Sequence, residues 1–504
     1  MKKLGFTLII FLACIKCNSQ VITFQKSYSG TGAMDGKLTS DSGFILLDIV
    51  PSLLKTDEQG NMMWYKYYSI APNYNLLGSW VHQTTDNGYV IIGTIGSILN
   101  DDMSVFLIRT DSVGNIVWVR NYVDDVDFGV RSAVSASDGG YVFAGSSGST
   151  NNSIVLMKTD SLGTVLWCNY FNSTSTTFAN SVQQTTDGGY IVTGTDGDLL
   201  LLRTDSNGAL LWNKTYGGGI YNYEGYSVKQ TIDGGFIAVG ETYGGGFLVK
   251  TDSNGDTLWT KILGLDTTLY STPIIQMKAV EQTDNGGFVI AGQAPIPPHS
   301  QAILMNTDSN GICNWIKSYG GGSQYEASYA LEKTLDKGLI QFGFSNSFSV
   351  GANYLIKTDS AGNSGCFENN LIVRDYTIPC QVSSPMMSLF ISTNSYVPLS
   401  ASITPGGNEY TICSNTVSIQ SPELENVYSV YPNPFTDKLN TTLKTNEPLQ
   451  LNLYDITSRE ILTQTFTNTT TINTEQLAKG IYIYEVRNPG APGEVIKKGK
   501  VVKE

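Results

Sequence analysis

Histidine is almost absent from this sequence, with two residues among 504. Histidine is the usual proton carrier near neutral pH and a frequent zinc ligand, so His-based triads and multi-His metal sites have almost nothing to be built from. No Cys-x-x-Cys pair lies beyond residue 19, which leaves a structural zinc site without support. We therefore expect no metal ion and no cofactor. Carboxylate chemistry remains open.

Basic residues are also scarce, with 31 Lys and Arg against 44 Asp and Glu and a net charge of −13. Such a chain has no basic field for phosphates, so we expect no nucleic-acid partner. Beyond the N-terminus no apolar run is long enough to span a bilayer, and we expect the mature protein not to be transmembrane. The abundance of Gly (52) and Tyr (28) favours an all-β fold of short strands joined by glycine turns.

The N-terminus is typical of an export signal, because Lys2 and Lys3 precede an apolar run from Leu4 to Ile15. We predict a signal peptide over residues 1–19, with cleavage near Ser19 and passage through the periplasm. Lipid attachment at Cys14 and an uncleaved anchor helix are the alternatives. Of the cysteines that remain, Cys366, Cys380 and Cys413 lie close together in sequence and could supply one disulfide.

Two signatures repeat roughly every 50 residues, a period that is typical of propeller blades. The first is Thr-Asp-Ser/Glu-x-Gly with Trp seven residues after the Asp. The second is an Asp-Gly-Gly-like turn before an aromatic or apolar residue. The six complete copies of the first are Asp57/Trp64, Asp111/Trp118, Asp160/Trp167, Asp205/Trp212, Asp252/Trp259 and Asp308/Trp315. We expect these tryptophans to pack between blades.

Each copy, such as Tyr226 to Ile262, contains four alternating segments separated by turns, which predicts four antiparallel strands. A seventh copy has Cys366 in place of Trp and lacks its fourth strand, whereas Phe24 to Tyr28 matches Trp315 to Tyr319. We therefore predict that residues 20–366 form a seven-bladed β-propeller closed by the N-terminal strand. An open solenoid is the alternative architecture.

The repeat stops after Cys366, and residues 367–420 are Ser/Thr/Asn-rich, which suggests a loosely ordered bridge with some strand. Period-two alternation returns over residues 421–504 and predicts a small C-terminal β-sandwich. Its motifs, in chain order, are Tyr431-Pro432-Asn433-Pro434, the block with Gly480 and Tyr482, and the basic end with Lys498 and Lys500.

These motifs resemble the type A C-terminal sorting domain of the type IX secretion system of Bacteroidota. The resemblance implies that the type IX machinery is a partner and that the protein is secreted or displayed on the outer cell surface. An ordinary terminal β-domain is the alternative. The propeller part resembles, more loosely, the repeat-rich secreted proteins that carry such tails, and this likeness implies no activity.

The loops that join the fourth strand to the next blade, and the second strand to the third, share one propeller face and vary in length and composition. They carry the candidate ligand-binding residues Tyr221, Tyr223, Tyr243, Tyr270 and Tyr325. Aromatic rings beside carboxylates suit an extracellular glycan or protein ligand; alternatively these rings only cover blade ends. His82 occupies a position that varies between copies, which indicates an outward side chain.

We predict a non-enzymatic, exported scaffold that binds a glycan or protein ligand through this loop face. The alternative is an exported, carboxylate-dependent hydrolase such as a glycosidase, using loop acids such as Asp101, Asp125 or Glu224. Two carboxylates within roughly 5 to 10 Å of each other in one central pocket would favour the hydrolase.

Deletion of residues 424–504 should leave the protein in the periplasm, because the sorting signal lies in that segment. Fractionation and surface labelling of cells that express the truncated chain would measure this. Surface display at the level of the full-length chain would contradict the prediction.

Overall fold

The computed structural model describes residues 21–70, 74–97, 103–123, 128–147, 153–173, 175, 177–218, 223–269, 274–322, 324–348, 352–375, 380–392, 395–398, 401–416, 428–431, 435–443, 449–455, 459–467, 469–487 and 495–503. The predicted signal peptide lies outside these residues. The chain divides into two units, Met1–Val417 and Ser418–Glu504. All regular elements in the described residues are β-strands, and no helix there is long and apolar enough to cross a membrane.

The first unit contains seven antiparallel sheets, numbered 1 to 7 along the chain. In each sheet, four strands are hydrogen-bonded to one another in the order inner, second, third and fourth. A fifth strand, which we call the rim strand, pairs with the fourth. Sheet 1 contains Ala33–Leu38, Phe44–Asp48, Ser52–Thr56, Met62–Ile70 and the rim strand Ala401–Pro405; sheet 2 contains Tyr74–Gln83, Tyr89–Ser97, Met103–Thr110, Ile116–Val123 and Ser395–Pro398; sheet 3 contains Phe128–Ser135, Tyr141–Ser147, Ser153–Thr159, Val165–Asn172 and Ser388–Ser392.

The remaining four sheets of this unit have the same order. Sheet 4 contains Thr177–Gln184, Tyr190–Asp196, Asp198–Thr204, Leu210–Gly217 and Gln381–Ser383; sheet 5 contains Glu224–Gln230, Phe236–Thr242, Gly245–Thr251, Thr257–Leu265 and Val373–Asp375; sheet 6 contains Gln276–Gln282, Phe288–Ile296, His299–Thr307, Cys313–Tyr319 and Glu368–Asn370; sheet 7 contains Glu326–Lys333, Leu339–Ser345, Ala352–Thr358, Ile22–Ser29 and Glu409–Thr416.

Both repeated signatures form the predicted turns. In sheet 5, the Asp233 carboxylate accepts a hydrogen bond from the backbone amide of Gly235 at 3.0 Å, and Gly234 takes φ +82°. In the next turn, the Asp252 carboxylate accepts hydrogen bonds from two backbone amides at 2.9 and 2.8 Å, and Gly255 takes φ +75°. Both glycines have left-handed backbones, which favour glycine, although Ser42, Asn87 and Lys337 take the same conformation at the position equivalent to Gly234 in sheets 1, 2 and 7.

The acidic residue of the Asp-Gly-Gly-like turn also pairs with a basic side chain on the third strand of its own sheet. Six sheets have an ion pair at this place: Lys55–Asp41, Arg109–Asp86, Lys158–Asp138, Arg203–Asp187, Lys250–Asp233 and Lys357–Asp336. Sheet 6 has Asn285 and Asn306 at the equivalent places. The turn therefore tolerates an amide where its basic partner is also replaced.

Neighbouring sheets bury their apolar faces against each other. Seven hydrophobic clusters each combine residues of two sheets, and they join sheets 1 and 2, 2 and 3, 3 and 4, 4 and 5, 5 and 6, 6 and 7, and 7 and 1. The six repeat tryptophans pack against six of these clusters. Their predicted role in packing between sheets is confirmed.

A tyrosine on the fourth strand links five of the seven sheet pairs. Its hydroxyl donates to the carbonyl of the glycine in the Thr-Asp-Ser/Glu turn of the following sheet: Tyr28 to Gly60 at 2.5 Å, Tyr68 to Gly114 at 2.7 Å, Tyr122 to Gly163 at 2.7 Å, Tyr216 to Gly255 at 2.6 Å and Tyr319 to Gly362 at 2.6 Å. Because Tyr28 belongs to sheet 7 and Gly60 to sheet 1, this bond also joins the last sheet to the first.

The N-terminal strand lies inside sheet 7, between Ala352–Thr358 and the rim strand Glu409–Thr416. Phe24 takes the place of the repeat tryptophan, with its ring centroid 6.2 Å from that of Phe44 in sheet 1. The equivalent Trp64 and Tyr89 rings are 5.8 Å apart. The match between the two ends of the repeat region therefore corresponds to an observed strand pairing.

Residues 368–416 have an arrangement that the sequence did not predict. Where we expected a loosely ordered bridge, seven short segments form the rim strands, which follow the chain through sheets 6, 5, 4, 3, 2, 1 and 7. Several of these strands are mostly exposed, such as Gln381–Ser383 and Val373–Asp375. They are held chiefly by backbone hydrogen bonds to the fourth strands, so their sequences carry little apolar alternation.

A disulfide joins the two ends of this rim segment. Cys366, which precedes the first rim strand, is bonded to Cys413 in the last, at a sequence separation of 47. Glu409 reinforces the same end, because its carboxylate contacts Lys26 Nζ and the Met62 backbone amide, both at 2.7 Å. Cys380 is not part of the bridge.

The second unit consists of two sheets. The first is Tyr428–Tyr431, Lys438–Leu443 and Thr469–Asn473, and the other is Glu460–Phe466, Leu449–Tyr454, Gly480–Arg487 and Val495–Lys503. One hydrophobic cluster draws on both sheets, including Leu439 and Ile472 from the first and Leu451 and Val486 from the second. Two sheets around one core agree with the predicted small β-sandwich.

Replacing Cys366 and Cys413 by serine should destabilise the first unit by about 4 kcal/mol, because the crosslink removes loop-closure entropy from the unfolded chain. Denaturant unfolding of the oxidised proteins would measure the difference. Reduction should lower wild-type stability to that of the double variant and leave the variant itself unchanged. Equal stability of the oxidised wild type and the double variant would contradict this role, and Cys380→Ser serves as the control.

Asp336→Asn should destabilise sheet 7 by about 2 kcal/mol at pH 7, because it weakens the partner of the buried Lys357 ammonium. Burial raises the pKa of Asp336, but the Thr334 hydroxyl and Lys357 together bring it below its ordinary value. The contribution is therefore present above the unfolded-state pKa of about 3.9 and is lost as pH falls through the lower folded-state pKa.

Thermal melts of wild type and Asp336→Asn from pH 7 to pH 2 would test this, with the two curves converging at the acidic end. The exposed pair of Asp284 and Lys333 supplies a control, since Asp284→Asn should change little at any pH. A difference in melting temperature between wild type and Asp336→Asn that stays constant with pH would contradict the assigned role of the Asp336 carboxylate.

Candidate functional site

The inner strand of every sheet contains one β-bulge. The register with the second strand shifts at Ala33/Asp35, Gly78/Trp80, Val130/Ser132, Ala179/Ser181, Gly225/Ser227, Met277/Ala279 and Ser328/Ala330. The extra residue breaks the period of two and re-aims its side chain. These extra residues, which we call the bulge ring, are Met34, Ser79, Arg131, Asn180, Tyr226, Lys278 and Tyr329, and all of them line one cavity of about 350 Å³.

A second set of seven residues lines the same cavity three positions further along each inner strand, closer to the Asp-Gly-Gly-like turns. This turn-side ring consists of Lys37, His82, Val134, Gln183, Lys229, Glu281 and Glu332. One cavity is thus lined by all seven sheets. The equivalent side chains differ in size and charge from sheet to sheet, whereas the packing positions repeat.

The charges of the turn-side ring are internally paired. Lys37 lies 2.9 Å from Glu332 and 3.3 Å from Asp35, and Lys229 lies 2.6 Å from Glu281. Burial alone would lower the pKa of Lys37, but Asp35 and Glu332 hold it above its ordinary value. Lys37 therefore stays protonated, and both ion pairs hold adjacent inner strands together.

His82 lies in the cavity wall and not on the outer surface. Its ring stacks on Trp80 with centroids 5.4 Å apart and planes at 9°. Burial lowers the pKa of His82, with a further contribution from the Lys37 charge, so the ring is neutral at pH 7. The outward position that we inferred for His82 from sequence variation is therefore corrected. The inference failed because a cavity wall tolerates variation as an outer surface does.

A continuous polar chain crosses sheets 3 to 6 at the bulge ring. Arg131 donates to the Asn180 amide oxygen at 2.9 Å, and the Asn180 amide nitrogen donates to Glu224 at 2.9 Å. The Tyr226 hydroxyl is 3.1 Å from Glu224 and 2.5 Å from Glu241. The chain ends at Lys278, whose Nζ lies 3.2 Å from the Tyr226 ring centroid.

Glu224 and Glu241 lie at the loop-face end of sheet 5, where they are direct partners on adjacent strands. One hydroxyl bridges both carboxylates, so the two acids lie close together, but neither is among the residues that line the cavity. Asp101 and Asp125 lie outside the described residues. Within the part of the chain that the structure covers, no group of three or more His, Cys, Asp or Glu side chains could hold a metal ion.

At the bulge ring, the wall from sheets 7, 1 and 2 carries no charged side chain, whereas Lys37 and Glu332 lie in its turn-side ring. Met34 and Tyr329 line it at the bulge ring, and Trp80 lies beside them. Burial raises the pKa of Tyr329, so its hydroxyl remains a hydrogen-bond donor at neutral pH. At the level of the bulge ring the cavity therefore has a charged side and an uncharged, aromatic side, which is an asymmetry that can orient a ligand.

The five loop tyrosines predicted from the sequence do not form one site in the described residues. Tyr221 and Tyr270 lie outside them. Tyr223 is 1% exposed, with its ring centroid 4.8 Å from that of Phe247, so this candidate is corrected to a core residue. Tyr243 and Tyr325 are 63% and 54% exposed, and the Tyr325 ring lies 4.9 Å from His299. The two exposed tyrosines lie at different sheets, 5 and 7.

Sequence reasoning did not single out Asn180, Tyr226 or Lys278. Each lies three residues before a turn-side position that was already recognised as variable, so the same comparison of copies could have found them. The bulge was the obstacle, because strict alternation would have assigned the wrong face to these residues.

The sorting-tail residues fall in the second unit. Tyr431 ends its first strand, Gly480 begins the strand Gly480–Arg487, and Lys498 and Lys500 lie in the last strand, opposite Glu485 and Ile483. Tyr482 is buried, and its hydroxyl donates to the Ala478 carbonyl at 2.8 Å. Pro432, Asn433 and Pro434 lie outside the described residues.

Comparison with solved structures finds propeller proteins of low identity. A protein of unknown function from Bacteroides caccae is 13% identical, with 60% of this chain and 97% of that chain covered and a TM-score of 0.36. The β-propeller domain of Cps50 (Swd1) from Myceliophteria thermophila is 8% identical, with coverage of 66% and 99% and a TM-score of 0.36.

PorZ, a surface component of the type IX secretion system of Porphyromonas gingivalis, is 10% identical, with 94% of this chain and 93% of that chain covered and a TM-score of 0.26. No curated protein matches the sequence. The family model for the secretion system C-terminal sorting domain matches residues 429–502. This chain therefore carries the sorting domain of type IX secretion at its C-terminus and is secreted or attached at the outer cell surface.

Proposed function

We propose that this protein is an exported, non-enzymatic scaffold in which the seven sheets are the blades of a closed β-propeller, and that it binds an extracellular glycan or a protein ligand through its loop face and central cavity. Support for closure comes from the contacts between sheets 7 and 1, where Tyr28 bonds Gly60 and the Phe24 and Phe44 rings meet. The type IX machinery is the export partner, reached through the periplasm.

The cavity is the observation that carries the binding proposal. Residues that pack sheet on sheet are nearly the same in every copy, whereas the bulge ring and the turn-side ring differ at equivalent positions. A ring that only needed filling could use one apolar side chain seven times. Charged, amide and aromatic groups on a cavity of about 350 Å³ suit a ligand that has polar and apolar sides, and the size is at the lower end for small-ligand sites.

The loop face gives access to this cavity in our proposal. Glu224 begins the inner strand of sheet 5 and its partner Glu241 lies near the end of the second strand, so both are next to the loops of that face. The exposed Tyr243 and Tyr325 belong to the same face. A ligand entering from this side meets the polar chain before it reaches the turn-side ring.

A hydrolase is the second candidate, and one observation favours it, namely the carboxylates of Glu224 and Glu241 on a shared tyrosine hydroxyl. Retaining glycosidases use two carboxyl groups about 5 Å apart. Both residues also have structural partners here, since Asn180 donates to Glu224 and Tyr226 to both. These bonds hold the two acids in place, which is sufficient for a positioning role and leaves binding as the leading function.

Met34→Trp should block binding, because this exposed side chain lines the cavity and makes no polar contact in the described structure. On an array of neutral and acidic oligosaccharides, the signal of the best wild-type probe should fall by about tenfold or more, with an unchanged melting temperature. Met63→Trp is the matched control, since Met63 is exposed on the fourth strand of sheet 1 and does not line the cavity.

Binding that survives Met34→Trp would contradict the cavity as the site. Release of reducing sugar from the array probes by wild-type protein, abolished by both Glu224→Gln and Glu241→Gln, would replace the binding function by the hydrolase.

A further inference from the structure

Two of the four basic side chains in the cavity have no carboxylate partner at ion-pair distance among the described residues. Lys37 and Lys229 are paired at 2.9 and 2.6 Å. Arg131 and Lys278, both in the bulge ring, form no ion pair there, although the chain as a whole carries an excess of 13 negative charges. The unpaired positive charge of the cavity therefore lies in the bulge ring.

Lys278 is held in place by an aromatic ring and not by a counter-ion. Its Nζ lies 3.2 Å from the Tyr226 ring centroid, and the Tyr226 hydroxyl is fixed by Glu224 and Glu241. Burial lowers the pKa of Lys278, Glu241 and Glu224 oppose this, and Arg131 adds to the lowering. The ammonium is thus desolvated and only partly compensated, so an anion beside it would be stabilising.

Arg131 completes the pair from the opposite end of the polar chain. It is exposed, it donates one hydrogen bond to Asn180 at 2.9 Å, and its guanidinium carbon lies 5.3 Å from the Phe178 ring centroid. A guanidinium has five N–H donors, so most of its capacity is left for a ligand. Its planar fork suits a carboxylate or sulfate group.

We propose that Arg131 and Lys278 recognise the acidic group, a carboxylate or a sulfate, of a saccharide that enters the central cavity. This inference rests on the proposed binding function and names the ligand class. Neutral groups that line the same cavity, including Ser181, Gln183 and the Tyr329 hydroxyl, would bind sugar hydroxyls. The aromatic side of the cavity offers the ring of Tyr329 to the apolar face of a sugar.

A saccharide fits this cavity better than a protein segment does, for two reasons. The cavity volume of about 350 Å³ suits one or two rings of a short oligosaccharide, whose remaining ring would lie outside it, and is small for an extended peptide with its side chains. The walls mix donors and acceptors from all seven sheets, which matches the hydroxyls around a sugar ring.

The test is calorimetric titration of the purified full chain with a galacturonic acid trisaccharide and with the same trisaccharide after reduction of its carboxylates to alcohols. The acidic form should bind at least about tenfold tighter. Lys278→Gln and Arg131→Gln should each remove most of this preference. Lys66→Gln is the matched control, because Lys66 also lies over an aromatic ring, that of Trp64, but outside the cavity.

A sulfated disaccharide of equal charge and a tetraglutamate peptide complete the panel. Preference for the sulfated sugar over the carboxylated one, lost in Lys278→Gln, supports the proposal with sulfate as the group. Tighter binding of the peptide than of either sugar overturns it. Equal binding of acidic and reduced trisaccharides that Met34→Trp blocks would keep the proposed function and overturn the acidic preference, whereas absence of any binding would overturn both.

Discussion

Burial of sheet faces against neighbouring sheets is the constraint on which the first unit depends. A four-stranded sheet of this sequence has two apolar faces, and neither can be covered by the sheet itself. Seven clusters shared between sheet pairs cover both faces of every sheet, and the repeat tryptophans pack against six of them. The Tyr–Gly hydrogen bond adds direction to this apolar contact, because a hydroxyl reaches one defined carbonyl in the next sheet.

This division between packing and cavity positions explains how one repeat can produce an asymmetric site. The Trp, Tyr, Asp and Gly of each copy are fixed by contacts with the next sheet or with a turn, so they repeat. The inner-strand bulge directs one side chain per sheet toward a common cavity without altering those contacts. Each of the seven cavity positions can therefore vary on its own, and the structure has Arg, Asn, Tyr and Lys on four successive sheets.

The sequence contained enough information for the features that are local or repeated. Turn residues such as Asp233 and Asp252 accept hydrogen bonds from backbone amides only a few residues away in sequence, and the tryptophans occur at a fixed spacing. Both features were therefore predictable. The match of Phe24 with the repeat tryptophan located the N-terminal strand. Tyr223 was misassigned because a loop position does not reveal that a ring packs inward, in this case on Phe247.

The rim strands and the polar chain were not predictable for a different reason. Gln381–Ser383 and its equivalents pair through backbone atoms at an exposed edge, where side-chain identity has little effect on stability. The contacts between Arg131, Asn180 and Glu224 join three sheets that are distant in sequence. The inner-strand bulges also shift the alternation of side chains between the two faces of each strand. The pairing of Cys366 with Cys413, one of the three possible pairings of nearby cysteines, depends likewise on the course of the rim segment.

The rim segment also gives a physical reason for the position of the disulfide. Its strands cover part of the edge that each fourth strand would otherwise expose to other chains, which reduces a risk of aggregation for a protein in transit. Each rim strand is short and mostly exposed, so it contributes little apolar burial, and a segment held in this way would open from its ends. Cys366 lies just before the first rim strand and Cys413 lies in the last, so the crosslink secures both ends at sheet 7. The N-terminal strand is trapped in the same sheet between Ala352–Thr358 and the disulfide-linked strand, and it cannot leave without breaking hydrogen bonds on both of its sides.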